Sequence, residues 1–174
     1  AVSAAIGDSH RALAAFRAQH GFGRGLAAPQ VGHALRIVAF HIGEQYGRDY
    51  SPDKSYRPFS MINPVITERS MSTFSLWDDC MSLTDKKGEL LMVRLRRHEH
   101  VSITFLDAVG RRHSWERLPL PLSELVQHEL DHLDGLLAVD RAVDSADAIV
   151  PRSTWLSRKD EMMKLVDYEI LPTV

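Results

Sequence analysis

The chain has 174 residues, of which 44% are hydrophobic and 25% charged, and its formal net charge is −2. This length is enough for one sizeable core and short for two, so we expect a single domain spanning residues 1–174. The single cysteine, Cys80, excludes an internal disulfide, and the lack of a long apolar run disfavours a membrane span. We therefore expect a cytoplasmic protein, with an organelle as the alternative compartment.

The first quarter of the chain predicts a helix, a glycine-rich loop and a buried strand. Asp8 and Ser9 are good N-cap types for a helix that ends at His20-Gly21. Residues 21–32 contain four glycines, which predict a backbone that something approaches closely, with a flexible linker as the alternative. Residues 35–41 are apolar on both faces and predict an interior strand.

The middle of the chain predicts a loop followed by antiparallel strands. Residues 43–58 are polar and indicate an exposed loop, and residues 59–67 indicate a strand that Asn63-Pro64 places at a bend or an edge. Residues 85–88 predict a turn. The arginines within residues 94–97 are expected on a solvated strand face, so nucleic acid is disfavoured as a direct partner. Alternation and β-branching predict three further strands, over residues 90–95, 99–106 and 111–118.

An apolar segment over residues 118–137 carries the main chemical signal. His128 and His132 are four residues apart, so on a helix both imidazoles lie on one face and can bind one metal ion, with Glu129 as the candidate base. A chance pair of histidines is the alternative, but it would be expected on a solvated face. Here leucines surround the pair, and burying these polar groups is costly unless a metal compensates them.

The remaining elements complete the predicted fold. Gly135 is suited to end the metal helix, and residues 136–139 predict a short apolar strand. Residues 153–168 predict a last amphipathic helix. Antiparallel hairpins followed by one buried helix predict an α+β fold, with antiparallel β-sheets around the central HExxH helix and a helix at each end of the chain.

Two histidines leave a metal site incomplete, so the third ligand decides the class of protein. The long metzincin pattern needs a third histidine where Ala138 stands, which disfavours that class. A gluzincin would need a glutamate on a later helix, for which Glu161 is the only sensible candidate. Cys80 is the strongest remaining choice, because a thiolate is a good ligand for Zn(II) or Fe(II).

Three stretches of the chain resemble the motifs of peptide deformylases, in that family's order and at similar separations. The resemblance extends from the first helix to just past Gly135, and the three motifs together are far more specific than any one of them. The stretches are residues 23–30 (GRGLAAPQ), 78–82 (DDCMS) and 127–132 (QHELDH).

The resemblance implies a metal-dependent hydrolase that removes the formyl group from N-formylmethionyl polypeptides. One divalent metal ion is implied, Fe(II) in cells, with Zn(II), Ni(II) or Co(II) as alternatives in purified protein. The implied metal ligands are Cys80, His128 and His132. Glu129 would be the base, and the Gln30 amide and the backbone N–H of Met81 would stabilise the oxyanion.

The resemblance also implies that the backbone around Gly25 holds the substrate as an added strand. The expected partner is therefore an N-formylated peptide or the N-terminus of a nascent chain. Membranes and nucleic acid are not expected as partners.

Several positions depart from the family's usual pattern. The second motif usually reads Glu-Gly-Cys-Leu-Ser, whereas Asp78, Asp79 and Met81 stand in this chain. Arg24 and Glu124 occupy positions that are commonly apolar and help to form the pocket for the methionine side chain. We expect Arg24 and Glu124 to pair with each other or turn out to water, and Asp79 to pair with Arg24 or with an arginine of residues 94–97.

Three hypotheses follow from these observations. The leading one is removal of formyl groups from formylmethionyl chains, with weaker discrimination of the first side chain than is usual for the family. The second keeps the chemistry and changes the substrate to another small N-formyl or N-acyl amine. The third is a binding module that retains the fold and the metal without turnover.

Overall fold

Two antiparallel sheets and a central helix make up the computed structural model, which describes residues 1–42, 50, 52 and 57–170. The predicted α+β architecture is confirmed. The predicted loop over residues 43–58 lies mostly outside the described residues. The helices are α1 (Val2–His20), α2 (Leu120–Leu133), α3 (Arg152–Ser157) and α4 (Lys159–Met163). The strands are β1 (Gly25–Ala27), β2 (Ile37–Phe40), β3 (Phe59–Arg69), β4 (Thr73–Thr84), β5 (Leu90–His98), β6 (Val101–Leu106), β7 (Arg112–Trp115) and β8 (Ile149–Pro151).

The sheets have five and three strands. The larger one has the order β1-β2-β3-β6-β7 and the smaller one β4-β5-β8, and all the pairings between these strands are antiparallel. Strand β1 therefore lies at an edge of the larger sheet. Helix α2 packs its leucines against this sheet, and burial of each leucine contributes roughly 1.5–3 kcal/mol. The described residues include no helix that is both long and apolar enough to cross a membrane.

Helix α1 begins earlier than predicted. It starts at Val2, so Asp8 and Ser9 lie inside it and are not its N-cap. Ser9 is fully buried, and Asp8 lies 2.7 Å from Nε2 of His33, so both side chains serve tertiary packing. The predicted end is confirmed, because Gly21 closes the helix with φ of 75° and donates to the Arg17 carbonyl.

Strand β3 bends at Asn63-Pro64, as predicted, but it is not an edge strand. It pairs with β2 on one side and with β6 on the other. The pairing with β6 shifts register between Ile62 and Val65, and Asn63 has φ of 50°. Pro64 lies within this bulge, so its missing N–H removes no ladder hydrogen bond.

Two predictions near the C-terminus are wrong. Residues 136–139 do not form a strand. The 3-10 helix Ala138–Arg141 takes up the second half of this segment, and the Asp140 carboxylate caps it by accepting the Leu137 N–H at 2.8 Å. The helix predicted over residues 153–168 is instead the two short helices α3 and α4. The Met162 carbonyl accepts a hydrogen bond from the Trp77 indole, and Asp167 accepts one from Ser75, so this segment is held against β4.

Candidate metal centre

Three potential ligand atoms converge between α2 and β4. The Sγ atom of Cys80 lies 3.1 Å from Nε2 of His132, and the Nε2 atoms of His128 and His132 are 3.2 Å apart. All three side chains are buried, and their ligand atoms lie within 4.8 Å of one another. The structure thus brings together the three residues proposed from the sequence. The gluzincin alternative is not met, because Glu161 is exposed and pairs with Arg158.

Cys80 points into this cluster because side chains alternate between the two faces of β4. Residues two apart on a strand point to the same face, so Asp78 and Cys80 both face α2. The ladder between β4 and β5 is regular up to Asp79 and resumes at Thr84. Residues 80–83 therefore bulge out of the ladder, which places Met81 in a stretch without a ladder partner on β5.

Asp78 orients His128, and this role of Asp78 was not predicted from the sequence. Its Oδ2 atom lies 2.8 Å from Nδ1 of His128, which leaves Nε2 pointing at the cluster. Burial alone would raise the pKa of Asp78, but His128 and Arg97 lower it to about 2, so the group is a carboxylate. A carboxylate that holds the second nitrogen of a metal-binding histidine is a common supporting contact. This role could have been predicted, because Asp78 stands two residues before Cys80 and so shares its face of the strand.

Arg97 contradicts the prediction of a solvated arginine face. Its side chain is only 4% exposed and donates to Asp78 and Asp131. Leu95 and Arg97 share one strand face because they are two residues apart, and that face is the buried one, whereas Arg96 is exposed. Arg141 donates to Asp131 as well, at 2.8 Å. The buried charges of Arg97, Asp78 and Asp131 are therefore paired with one another.

The donor set fits a divalent cation. Burial would raise the pKa of the Cys80 thiol, but hydrogen bonds to His128 and His132 lower it to about 6, which favours the thiolate. Burial would lower the pKa of His128, but the contacts to Asp78 and Cys80 raise it well above its usual value. A thiolate and two imidazoles are ligands that Zn(II) and Fe(II) accept, and a metal ion would replace the shared protons.

Glu129 lies beside the cluster as an unpartnered carboxyl group. It is 3% exposed, its Oε2 atom has no hydrogen-bond partner within the described residues, and burial raises its pKa to about 7. Gly25 lies directly against it. A Cβ atom at Gly25 would come within 2.7 Å of Cδ of Glu129, so any side chain at this position would displace the glutamate. This contact explains a glycine at the start of β1.

Gln30 presents its amide to the same cluster. Its Oε1 atom accepts the Ala27 N–H at 2.7 Å, which fixes the orientation of the amide. Nε2 then donates to the Ser82 hydroxyl at 2.7 Å and lies 4.0 Å from the Cys80 sulfur. Pro29 is the second residue of the 3-10 helix Ala28–Val31, which holds Gln30 in place.

A cavity of about 340 Å³ opens next to the cluster, and its walls contain the departures from the family pattern. Nη1 of Arg24 lies 2.5 Å from Oε1 of Glu124, and both are almost fully buried, so the predicted pairing is confirmed. Asp79 also lines the cavity. The prediction that Asp79 pairs with an arginine is wrong, because it forms no ion pair within the described residues. Burial and the neighbouring Asp78 raise its pKa.

Comparison with known proteins shows which family the chain is similar to. The family model described as polypeptide deformylase matches residues 5–148. Peptide deformylase 1 of Prochlorococcus marinus is 37% identical over 71% of this chain, and the matched part spans 61% of that protein's length. A probable peptide deformylase from Synechococcus phage S-SSM7 superposes with a TM-score of 0.63 at 28% identity, covering 80% of this chain and 82% of that one.

A second solved structure gives the same result. The peptide deformylase of Thermotoga maritima superposes with a TM-score of 0.61 at 27% identity, covering 78% of each chain. Peptide deformylases use a single metal ion, and the described residues offer one cluster of the required kind. The match covers both of the elements that carry this cluster. The chain belongs to the polypeptide deformylase family.

Proposed function

We propose that this protein removes the formyl group from the N-terminus of N-formylmethionyl polypeptides in a metal-dependent hydrolysis. The observation that carries the proposal is the buried cluster of Cys80, His128 and His132 with the unpartnered carboxyl group of Glu129 beside it. A formamide is a poor electrophile, so its hydrolysis requires an activated water and a stabilised oxyanion. The residues around the cluster supply a candidate for each requirement.

Cys80, His128 and His132 would hold one divalent metal ion, which we propose is Fe(II) in cells. When bound, the ion would polarise the formyl oxygen and acidify water. The Asp78 contact to His128 supports this role, because it keeps the imidazole in the tautomer that presents Nε2 to the cluster. Zn(II), Ni(II) or Co(II) would fit the same donors in purified protein.

Glu129 would act as the general base. It would accept a proton from the attacking water and then deliver it to the departing amine. Its burial and its raised pKa of about 7 support this role, because a base works best when its pKa is near the working pH. The missing hydrogen-bond partner of Oε2 leaves that atom available to a water or to the substrate.

Gln30 and Met81 would stabilise the oxyanion. The Gln30 amide is held by Ala27 so that its NH₂ group points toward Cys80, and Met81 lies where β4 leaves its ladder. A fixed donor needs no reorganisation when negative charge develops on the substrate oxygen. The Ser82 hydroxyl, which now accepts from Gln30, would have to share that donor with the substrate.

The peptide would bind along the free edge of β1. Among the described residues this strand pairs with β2 alone, which supports the pairing of its other edge with an extended chain. Gly25 lets that chain approach Glu129 because it has no side chain. The proposed partner is thus the N-terminus of a nascent chain, and the proposed setting is a single domain in the cytoplasm, with an organelle as the alternative.

A second candidate function has one observation in its favour. Arg24, Glu124 and Asp79 put three ionisable groups into the cavity wall, which is unusual for a pocket that accepts methionine. Another small N-formyl or N-acyl amine would be the substrate in that case. A metal-binding homologue without turnover is the third reading.

Formate release separates these functions. The full chain is loaded anaerobically with iron, and release of formate and of the free amine is measured with formyl-Met-Ala-Ser, with its acetyl analogue and with a small formyl amine such as N-formyl-lysine. We expect formate and free amine from the formyl peptide alone. Release of the amine from only the acetyl analogue or the small formyl amine would favour the second candidate, and no release from any substrate at full metal occupancy would favour the third.

A further inference from the structure

A second cavity lies on the other side of α2 from the metal cluster. Its volume is about 300 Å³, and its walls come from α2, β3, β5 and the segments next to them. Residues 127, 130 and 131 of α2 and its C-cap residue Asp134 contribute, whereas the first cavity uses residues 124, 125, 128 and 129 of α2. We call this cavity the arginine groove after the five arginines that line it, Arg36, Arg69, Arg96, Arg97 and Arg141.

The floor of the groove is an ion-pair network centred on the largely buried side chains of Arg97 and Asp131. Arg97 donates to Asp131 there, and Arg141 donates to the other oxygen of the same carboxylate. Arg36 pairs with Asp134 at 2.6 Å. These two aspartates are the only carboxylates among the lining residues, and both are already engaged by arginine. Nε of Arg97 is buried and has no hydrogen-bond partner within the described residues.

The rim of the groove carries two arginines whose side chains form no ion pair within the described residues. Arg96 is exposed and donates to the hydroxyl of Thr73, at 3.1 and 3.2 Å, and its charge helps to lower the pKa of Asp167. Arg69 is exposed, and its side chain forms no hydrogen bond or ion pair with any residue that the structure describes. The groove therefore concentrates positive charge in a chain whose formal net charge is −2.

We propose that the arginine groove binds a small phosphate-bearing anion, such as pyrophosphate or the phosphates of a nucleotide. Guanidinium groups bind phosphate oxygens through two parallel N–H donors, so several converging arginines select this ligand over a monovalent anion. The groove is concave, and its volume is at the lower end of the range for small-molecule sites. The proposal does not depend on the proposed hydrolysis, because the groove is separate from the first cavity.

The alternative is that the rim arginines are simply solvated. Long charged side chains often lie on a surface with their heads in water, and isolated ones need no ligand. Convergence on one concave surface and the unpartnered Nε of Arg97 favour a ligand over this alternative. The two readings differ in whether a stoichiometric anion complex forms.

The test is calorimetric titration of the metal-loaded full chain with pyrophosphate and with inorganic phosphate, in phosphate-free buffer. The test variant is Arg69→Ser/Arg96→Ser, which removes the rim charges without breaking an ion pair. The control is Lys86→Ser/Lys87→Ser, which removes the same charge from an exposed turn outside the groove. A third ligand, short single-stranded RNA, distinguishes a macromolecular source of phosphate from a small one.

We expect one pyrophosphate per chain, and weaker binding by at least about tenfold in the rim variant because charge-assisted hydrogen bonds are lost. The control should change the dissociation constant by less than about twofold, as is usual for surface substitutions. Undetectable binding, or equal weakening in both variants, would overturn the proposal. Binding of RNA without either small phosphate would overturn it too, in favour of a nucleic-acid surface.

Discussion

The two sides of α2 are built from similar polar residues but differ in how their hydrogen bonds are used. On the groove side, Gln127 accepts the His98 N–H and donates to the His98 carbonyl, and both Asp131 oxygens accept from arginine. On the cluster side, Glu129 is equally buried, yet Oε2 has no partner within the described residues. Leaving a buried carboxyl group unpartnered is costly, which indicates that a ligand completes the cluster side.

Removing Cys80 should have the largest effect, because it breaks the cluster itself. Cys80→Ala is expected to lose stoichiometric metal and with it all formate release, since two neutral imidazoles bind a divalent ion weakly on their own. Elemental analysis after gel filtration measures the metal content. Cys80→Ser is the matched variant, which keeps the size of the side chain. Metal content equal to wild type in Cys80→Ala would refute the assignment of this ligand.

Glu129→Gln should separate metal binding from turnover. The amide is nearly isosteric with the carboxyl group but cannot accept the proton, so we expect a loss of roughly 10² to 10⁴ in kcat at unchanged metal content. Rates on samples with matched metal occupancy give the result. A loss of less than about tenfold would mean that another group is the base.

Gln30→Ala should reduce kcat by about 10² to 10³, because one oxyanion donor is lost. Gln30→Glu is a sharper variant, since its carboxylate still accepts the Ala27 N–H but offers no donor to the substrate. We expect both variants to bind metal as the wild type does. An effect on KM alone would reassign Gln30 to ground-state binding.

Asp131→Asn should affect stability and not chemistry. The carboxylate joins Arg97 to Arg141, and its loss should lower the free energy of unfolding of the metal-free protein by about 1–3 kcal/mol at pH 7. The two arginines lower the pKa of Asp131 below its usual 3.8, although burial acts in the opposite direction. Its contribution is therefore present above about pH 4 and is lost as the pH falls through the lower folded-state pKa.

Urea unfolding at pH 7 and at pH 3 measures this contribution. The difference between the wild type and Asp131→Asn should be smaller at pH 3. Asp134→Asn is the control, because its pair with Arg36 is exposed and worth at most about 1 kcal/mol. If the difference grew as the pH fell, the carboxylate would not be the stabilising form of Asp131.

The smallest expected effect concerns the first side chain of the substrate. The Arg24–Glu124 pair makes the cavity wall more polar, so we expect formyl-Met peptides to be accepted with weak discrimination. Arg24→Ile/Glu124→Ile should raise the preference for norleucine over alanine by roughly fivefold, which corresponds to about 1 kcal/mol. Arg158→Leu/Glu161→Leu removes an exposed pair of the same kind and is the control.

The measurement is kcat/KM for formyl peptides that vary only the first side chain among Met, norleucine, Ala, Glu and Lys. A clear preference of the wild type for Glu or Lys over Met would contradict the expected substrate and favour the second candidate function.

Local patterns explain which parts of this molecule could be predicted. The spacing of His128 and His132 and the leucines around them define one helix, so α2 could be predicted from short-range periodicity alone. Cys80 is distant in sequence from this helix. It was the strongest remaining choice because a thiolate is a good ligand, and the resemblance to a known motif implied the same role. The end of α1 at Gly21 was also predicted from a local signal, because a glycine with positive φ closes many helices.

Two of the missed features depend on contacts between distant segments, and a third on the shortness of a local run. The burial of Arg97 follows from the pairing of β4 with β5 and the position of α2, and neither is a local property. The break between α3 and α4 comes with hydrogen bonds from β4, which no helical pattern reveals. Residues 136–139 were too short an apolar run to distinguish a strand from a 3-10 turn.

The most direct test of the account is formate release as a function of metal content. Samples of the full chain are loaded anaerobically with iron to several occupancies, and the rate with a formyl-Met peptide is measured on each. We expect a rate that rises in proportion to bound metal up to about one ion per chain and falls to zero without it. Formate release by metal-free protein, or none at full occupancy, would contradict it.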